Sequence, residues 1–173
     1  MDFFKFCQRC EDSTCCTKPF YAFVTQTERD KIIEYIKLKN INLDEKDVFQ
    51  IYTFDKLTKI ATYLISKKSN GKCLFLKEDL TCQIQDVKPQ DCLNWPLTFD
   101  YKSKSNKIII YLGQCLFVKE LEKLKQLKTW LDDSLKIMIQ NLSKYNKIEL
   151  MAYTTLPSVS KFKVLAKITY KER

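Results

Sequence analysis

Eight cysteines and no histidine, in a chain of 173 residues, limit both the fold and the chemistry open to this protein. A chain of this length buries enough apolar surface to fold without covalent cross-links. Its first residues, MDFFKF, lack the basic start and apolar core of a signal peptide, so we expect a cytoplasmic protein. Clustered cysteines in a reducing compartment bind metal more often than they form disulfides. A secreted domain with four disulfides is the alternative.

The thiolates of the cysteines are soft ligands that favour zinc, iron–sulfur clusters or Cu(I) over Mg²⁺ and Ca²⁺. The absence of histidine excludes mixed cysteine–histidine zinc sites, a histidine-bound catalytic zinc and histidine-dependent nucleophiles. The two glycines stand far apart, so a glycine-rich phosphate loop is excluded as well. The predicted metal ligands are Cys7, Cys10, Cys15, Cys16, Cys73, Cys82, Cys92 and Cys115.

The spacing of the first four cysteines favours two metal centres. Cys7 and Cys10, with two residues between them, can turn both sulfurs toward one centre. The side chains of Cys15 and Cys16 diverge in an extended chain, so we expect them to serve different centres. Each centre would be completed by cysteines from residues 73–115. The competing hypothesis is a single four-cysteine centre, with the other cysteines as small buried apolar residues.

The net charge of +9 does not by itself indicate a nucleic-acid-binding protein. Only three of the 30 basic residues are arginine, the residue best suited to bidentate recognition of phosphate and guanine. We therefore expect no specific nucleic-acid partner, although a basic surface for an acidic protein partner is open. No apolar stretch approaches the roughly 20 residues of a membrane-spanning helix, so we expect no membrane partner.

The apolar periodicity predicts an α+β fold in a single compact domain, residues 1–173, with short strands and hairpins. Its cysteine-rich part is residues 1–117, an all-cysteine metal region, and residues 118–173 contribute a helix and terminal strands. Thr25 and Glu28 have the spacing of a capping box, which predicts a helix over 26–38. Pro89 predicts a short helical turn that contains Cys92.

The remaining elements follow from shorter patterns. A long amphipathic helix or helix pair is predicted over 116–146, with an interruption near 132–134. Residues 41–58 are ambiguous. Strands are predicted at 20–24, 60–65, 148–155 and 162–170, and hairpins at 73–84 and 97–112.

The cysteine segments also resemble a known family. Residues 7–16, CQRCEDSTCC, are similar to the signature of the YkgJ-like cysteine-cluster family, described as zinc- or iron-chelating proteins. The segments CLFL at 73–76, CQI at 82–84 and KPQDCLNWP at 88–96 follow in the family's order, and Cys115 occupies the place of a late family cysteine. The chain departs from the family at Lys88, Leu93 and 116–117, where arginine, arginine and Pro-Gly are expected.

The resemblance implies a metal site, and the spacing indicates which metal. Only one Cys-x-x-Cys pair occurs and the later cysteines are irregularly spaced, which favours an iron–sulfur cluster of the [4Fe–4S] type over zinc. We therefore expect a cytoplasmic, cysteine-ligated metalloprotein. Two alternatives are open. One is a structural zinc module with a basic surface for an acidic partner. The other is a cluster-dependent protein-modifying enzyme similar to the family's larger lysine N-methylase, although no S-adenosylmethionine motif is recognisable.

Overall fold

The computed structural model describes residues 14–16, 20–156 and 163–171. In these residues the chain combines helices with two small antiparallel sheets, which agrees with the predicted α+β class. The chain divides into two compact units, the first ending at Leu93 and the second beginning at Asn94. The assignment of the whole chain to one domain, with a cysteine-rich part up to residue 117, stays a prediction.

The sheet of the first unit has three antiparallel strands, β1 (Phe23–Thr25), β2 (Phe49–Phe54) and β3 (Ala61–Ile65), in the order β1-β3-β2. The central strand β3 is largely buried and pairs with a neighbour on each side. The register of the β2–β3 pair shifts between Ile51 and Thr53. Strand β3 confirms the strand predicted at 60–65, and β1 overlaps the one predicted at 20–24.

Helix α1 (Gln26–Leu38) confirms the helix predicted from the capping box. The Thr25 hydroxyl accepts a hydrogen bond from the backbone N–H of Glu28, and the Glu28 carboxylate accepts one from the backbone N–H of Thr25. These two bonds satisfy N–H groups that have no partner within the helix. Ile32 and Ile36, one turn apart, are buried on the face that packs into the core.

Two short helices complete the first unit. Helix α2 (Glu45–Val48) begins after Asp44, whose carboxylate accepts the N–H of Lys46, and together with β2 it occupies the stretch that was ambiguous in sequence. Helix α3 (Gln90–Asn94) follows Pro89 and contains Cys92. The turn predicted from Pro89 is therefore confirmed.

The core of the first unit includes the loops that contain cysteine. Phe75 and Ile84 are fully buried beside the apolar side chains of β1 and α1. Cys73, Cys82 and Cys92 are partly buried and pack against the same cluster. Packing of the neighbouring apolar residues thus fixes the path of the chain on either side of these cysteines.

The second unit contains an antiparallel sheet of β4 (Leu97–Lys102), β5 (Lys107–Leu112) and β6 (Lys163–Thr169), in the order β4-β5-β6. Strands β4 and β5 confirm the hairpin predicted at 97–112, and β6 confirms the strand predicted at 162–170. Asn106 adopts a left-handed conformation (φ 52°) at the turn between β4 and β5, as short polar residues tolerate.

Residues 116–146 contain two helices, α4 (Leu116–Lys123) and α5 (Leu127–Leu142). The break between them lies at residues 124–126, and not near residues 132–134 as predicted. Lys125 has a positive φ of 57°, which a helix interior does not allow, and its N–H bonds to the carbonyl of Glu122. Phe117 of α4 meets Trp130 of α5 edge to face, with ring centroids 5.4 Å apart.

The strand predicted at 148–155 is wrong, because this segment is helix α6 (Lys147–Thr154). Asn146 and Glu149 form a second capping box, a signal that the β-branched and aromatic residues of the segment obscured. The ring of Tyr153 stacks on Phe99 of β4, with centroids 4.0 Å apart. Tertiary packing thus favours a helix over the local strand propensity.

No helix among the described residues is both long and apolar enough to cross a membrane.

Candidate metal centre

The predicted ligands fall into three groups. Cys7 and Cys10 lie outside the described residues. Five of the described cysteines belong to the first unit, and Cys115 belongs to the second, where it is the N-cap residue of α4. The five in the first unit are Cys15, Cys16, Cys73, Cys82 and Cys92.

The vicinal pair is held beside the later cysteines by the main chain. The backbone N–H of Cys73 donates a hydrogen bond of 2.6 Å to the carbonyl oxygen of Cys16. The sulfur atoms of Cys15 and Cys16 lie 4.0 Å apart. This corrects the expectation that the two side chains diverge: Thr14–Cys16 is a turn of 3₁₀-helix and not an extended chain. Their assignment to separate centres therefore loses its geometric reason.

Cys73 and Cys82 each stand at the start of a tight turn, and backbone hydrogen bonding from that turn acts on the pKa of each thiol. Burial raises the pKa of the Cys73 thiol, and hydrogen bonds from the backbone of Phe75 and Leu76 lower it. Burial likewise raises the pKa of the Cys82 thiol, and a hydrogen bond from the backbone of Ile84 lowers it. An N–H directed at sulfur stabilises the thiolate, the form that binds metal.

A short hairpin connects these two turns. The N–H of Gln83 bonds to the carbonyl of Phe75 at 2.9 Å, and Leu76 pairs with Cys82 as an isolated antiparallel bridge. The hairpin predicted at 73–84 is thus present, reduced to a single bridge and its flanking bonds. It presents two cysteines from similar turns on neighbouring segments.

The thiols also act on one another electrostatically. Burial is the main cause of the raised pKa of Cys92, followed by the charge of Asp91 and then by Cys73, Cys16 and Cys15. Cys16 and Cys73 are likewise among the groups that raise the pKa of Cys82. Like charges raise thiol pKa values only at short range, so these cysteines occupy one neighbourhood.

Two lysines supply positive charge to this neighbourhood. The hydrogen bond with Cys15 is the largest cause of the raised pKa of Cys16, and burial adds to it. Lys88 and Lys67 oppose that rise. The sequence offered no way to select these two lysines from the many others, because their proximity to the thiols comes from the tertiary fold.

Two carboxylates attach the Cys92 helix to the sheet and to α1. Glu28 Oε1 accepts the N–H of Gln90 at 2.7 Å, and Asp91 Oδ2 accepts the N–H of Phe23 at 2.9 Å. The sequence identified Glu28 through its capping box alone. Its second bond, to a residue 62 positions away, has no signal in the sequence.

In the described parts of the chain, no group of three or more Cys, Asp or Glu side chains converges closely enough to form a ready metal site. The donor set nevertheless suits a soft metal, because it consists of thiols, and backbone hydrogen bonding opposes the rise in pKa at Cys73 and Cys82. The arrangement is a neighbourhood of thiols around a buried apolar cluster, with lysines beside it.

Neither a protein-family model nor a solved structure matches this chain.

Proposed function

We propose that this protein is a cysteine-ligated metalloprotein whose centre uses Cys16, Cys73, Cys82 and Cys92. The observation that supports this most is the packing of Cys73, Cys82 and Cys92 against one apolar cluster, with Cys16 joined to Cys73 by a main-chain hydrogen bond of 2.6 Å. Cys15, Cys7, Cys10 and Cys115 are the further candidate ligands.

An iron–sulfur cluster is the favoured occupant, on the sequence argument that the later cysteines are irregularly spaced. The residues fit such a group, since all the donors are thiols and Lys67 and Lys88 offset the negative charge of several thiolates. When bound, the cluster would supply one-electron redox chemistry. The protein's own part is to hold the sulfurs, donate N–H hydrogen bonds to them and exclude water with Phe75 and Ile84.

Zinc is the second candidate, and one distance favours it. Two sulfurs on a tetrahedral zinc with bonds of about 2.3 Å are about 3.8 Å apart. The 4.0 Å between the sulfurs of Cys15 and Cys16 is close to that separation. In this hypothesis the metal stabilises the fold, and the surplus of lysine is available to an acidic partner.

Metal analysis of the full chain, purified without oxygen, tests the proposal and separates the two metals. We expect iron and acid-labile sulfide in comparable amounts, with visible absorption that is lost on exposure to air. A colourless protein with stoichiometric zinc would support the second candidate instead. Protein that binds neither metal after reconstitution would reject both.

A ligand variant with a neighbouring control locates the centre. Cys82→Ser replaces one sulfur by oxygen, and Thr81→Ser alters the adjacent residue while keeping the hydroxyl that bonds to Asp79. We expect Cys82→Ser to weaken metal binding by more than about 100-fold, because loss of an outer-shell partner alone costs about 10- to 100-fold. Thr81→Ser should bind metal as tightly as the unaltered protein does. Equal metal content in the two variants would exclude Cys82 as a ligand.

A further inference from the structure

The short helix that contains Cys92 is attached to the rest of the first unit by side-chain carboxylates. Helix α3 has five residues, fewer than an isolated helix needs to be stable in water. The N–H of Gln90, its first residue, bonds to Glu28 Oε1 at 2.7 Å. The carboxylate of Asp91, its second residue, accepts the N–H of Phe23 in β1 at 2.9 Å.

Glu28 is itself held in place at its other oxygen. Oε2 accepts both the N–H and the hydroxyl of Thr25, at 2.9 and 3.0 Å. One carboxylate therefore closes the capping box of α1 and accepts the first N–H of α3. Because α1 is packed on the core through Ile32 and Ile36, this carboxylate ties α3 to a rigid element.

We infer that Glu28 is a positioning residue for Cys92, a role that rests on the proposed metal site. It does not contact the thiol. It fixes the first turn of the helix from which the thiol extends, so that Cys92 packs against the apolar cluster that also holds Cys73 and Cys82. The inference extends the proposed function by naming a residue outside the cysteine set on which one ligand depends.

Three variants of the full chain test this. Glu28→Ala removes both acceptor oxygens, and Glu28→Gln removes the charge but keeps one carbonyl acceptor. Glu34→Ala, on the exposed side of the same helix, is the matched control. A comparison of the alanine and glutamine variants separates the loss of hydrogen bonds from the loss of charge.

The first measurement needs no metal. Mass spectrometry measures the rate at which each cysteine of reduced, metal-free protein is alkylated under native conditions. In Glu28→Ala we expect alkylation of Cys92 to be about fivefold or more faster and that of Cys73 and Cys82 to change much less. The variant also loses the cap of α1, but only the helix of Cys92 loses a direct attachment. The alkylation rate of Cys92 in Glu28→Gln should lie between those of the unaltered protein and Glu28→Ala. The rate in Glu34→Ala should match that of the unaltered protein. Unchanged alkylation of Cys92, or an equal acceleration at all three cysteines, would overturn the inference.

The second measurement uses metal-loaded protein. Metal transfer to a chelator should be about 10-fold or more faster from Glu28→Ala than from Glu34→Ala, in the range known for outer-shell residues. Equal rates would show that Glu28 does not position a ligand. If the unaltered protein binds no metal, the proposed function fails, while the alkylation experiment still decides whether Glu28 holds α3 in place.

Discussion

The backbone N–H of Cys73 and the carbonyl oxygen of Cys16 form a hydrogen bond 2.6 Å long between residues 57 positions apart in the chain. Because this bond belongs to the main chain, it does not depend on the protonation or metal binding of either sulfur. Substitution of serine for either cysteine therefore leaves it in place. The two segments are held side by side by the fold, and their thiols can be altered individually without separating them.

Metal removal should lower the melting temperature. Metal present at about 1,000 times its Kd stabilises the folded state by about 4 kcal/mol, since an intact site exists only there. In a chain of this size that corresponds to about 8–16 °C. Thermal unfolding of metal-loaded and chelator-treated protein, followed by circular dichroism, measures the difference. An unchanged melting curve would contradict a metal centre within the fold.

Substitution of the vicinal cysteines tests whether there is one centre or two. If Cys15 and Cys16 serve different centres, Cys15→Ser and Cys16→Ser should each remove a different part of the bound metal. If the 4.0 Å between their sulfurs reflects a shared centre, both variants should lose the same metal. Metal stoichiometry and visible spectra of the two variants and of Cys15→Ser/Cys16→Ser distinguish these outcomes. A double variant that retains as much metal as either single variant would exclude the two-centre hypothesis.

Metal uptake should release protons. Burial raises the pKa of Cys73, Cys82 and Cys92 above the ordinary value of 9.0, so at neutral pH the metal-free thiols are protonated. Affinity should therefore rise with pH, about tenfold per pH unit for each proton displaced. Calorimetric titration in buffers of different ionisation enthalpy counts these protons. Uptake without proton release would mean that the thiolates are already formed.

The stability of the metal-free protein should fall as the pH rises, whereas metal affinity should increase. Its folded thiols have raised pKa values, so their contribution to stability is fully present below about pH 9 and is lost as the pH rises through the folded values. We expect the melting temperature of chelator-treated protein to fall as the pH rises above about 9, the ordinary thiol value. The same scan on Cys82→Ser should show a smaller fall. Equal curves for the two proteins would contradict this.

Phe75 links the core to the Cys73 turn, so its truncation should affect both. Its side chain is fully buried, and Phe75→Ala should destabilise the protein by about 3–5 kcal/mol. Leu57 is 94% exposed, and Leu57→Ala should change stability by less than about 0.5 kcal/mol. Urea unfolding of both variants checks this pair. A loss below about 1 kcal/mol at Phe75 would contradict the packing described here.

Binding to nucleic acid should be weak and independent of sequence. The basic residues are almost all lysines spread along the chain, which favours non-specific contact with phosphates. We expect Kd values of about 10⁻⁴–10⁻⁶ M at physiological salt, weakening steeply as salt is added. Fluorescence anisotropy with two unrelated duplexes over a salt series measures this. Tight binding of one duplex at physiological salt would contradict the prediction.

Much of the fold could be predicted wherever the signal was local. The capping box of Thr25 and Glu28, the turn after Pro89 and the hairpin at 97–112 depend on residues a few positions apart, and each is present. The prediction failed at 148–155, where strand propensity was outweighed by the Asn146 cap and by the stacking of Tyr153 on Phe99. The latter contact joins residues 54 positions apart, which no local pattern reports.

For the candidate centre, too, some features follow from the sequence and others from the tertiary structure alone. Residue types alone indicated that a site for a soft metal would be built mainly of thiolates, because a chain with eight cysteines, three methionines and no histidine has few other soft ligands to offer. Tertiary structure alone decided that Cys16 lies against Cys73, that the Cys15 and Cys16 sulfurs are close together, and that Glu28 reaches the helix of Cys92. The physical reason is that ligand chemistry belongs to each side chain, whereas proximity is created by the packing of α1, the sheet and the loops around Phe75.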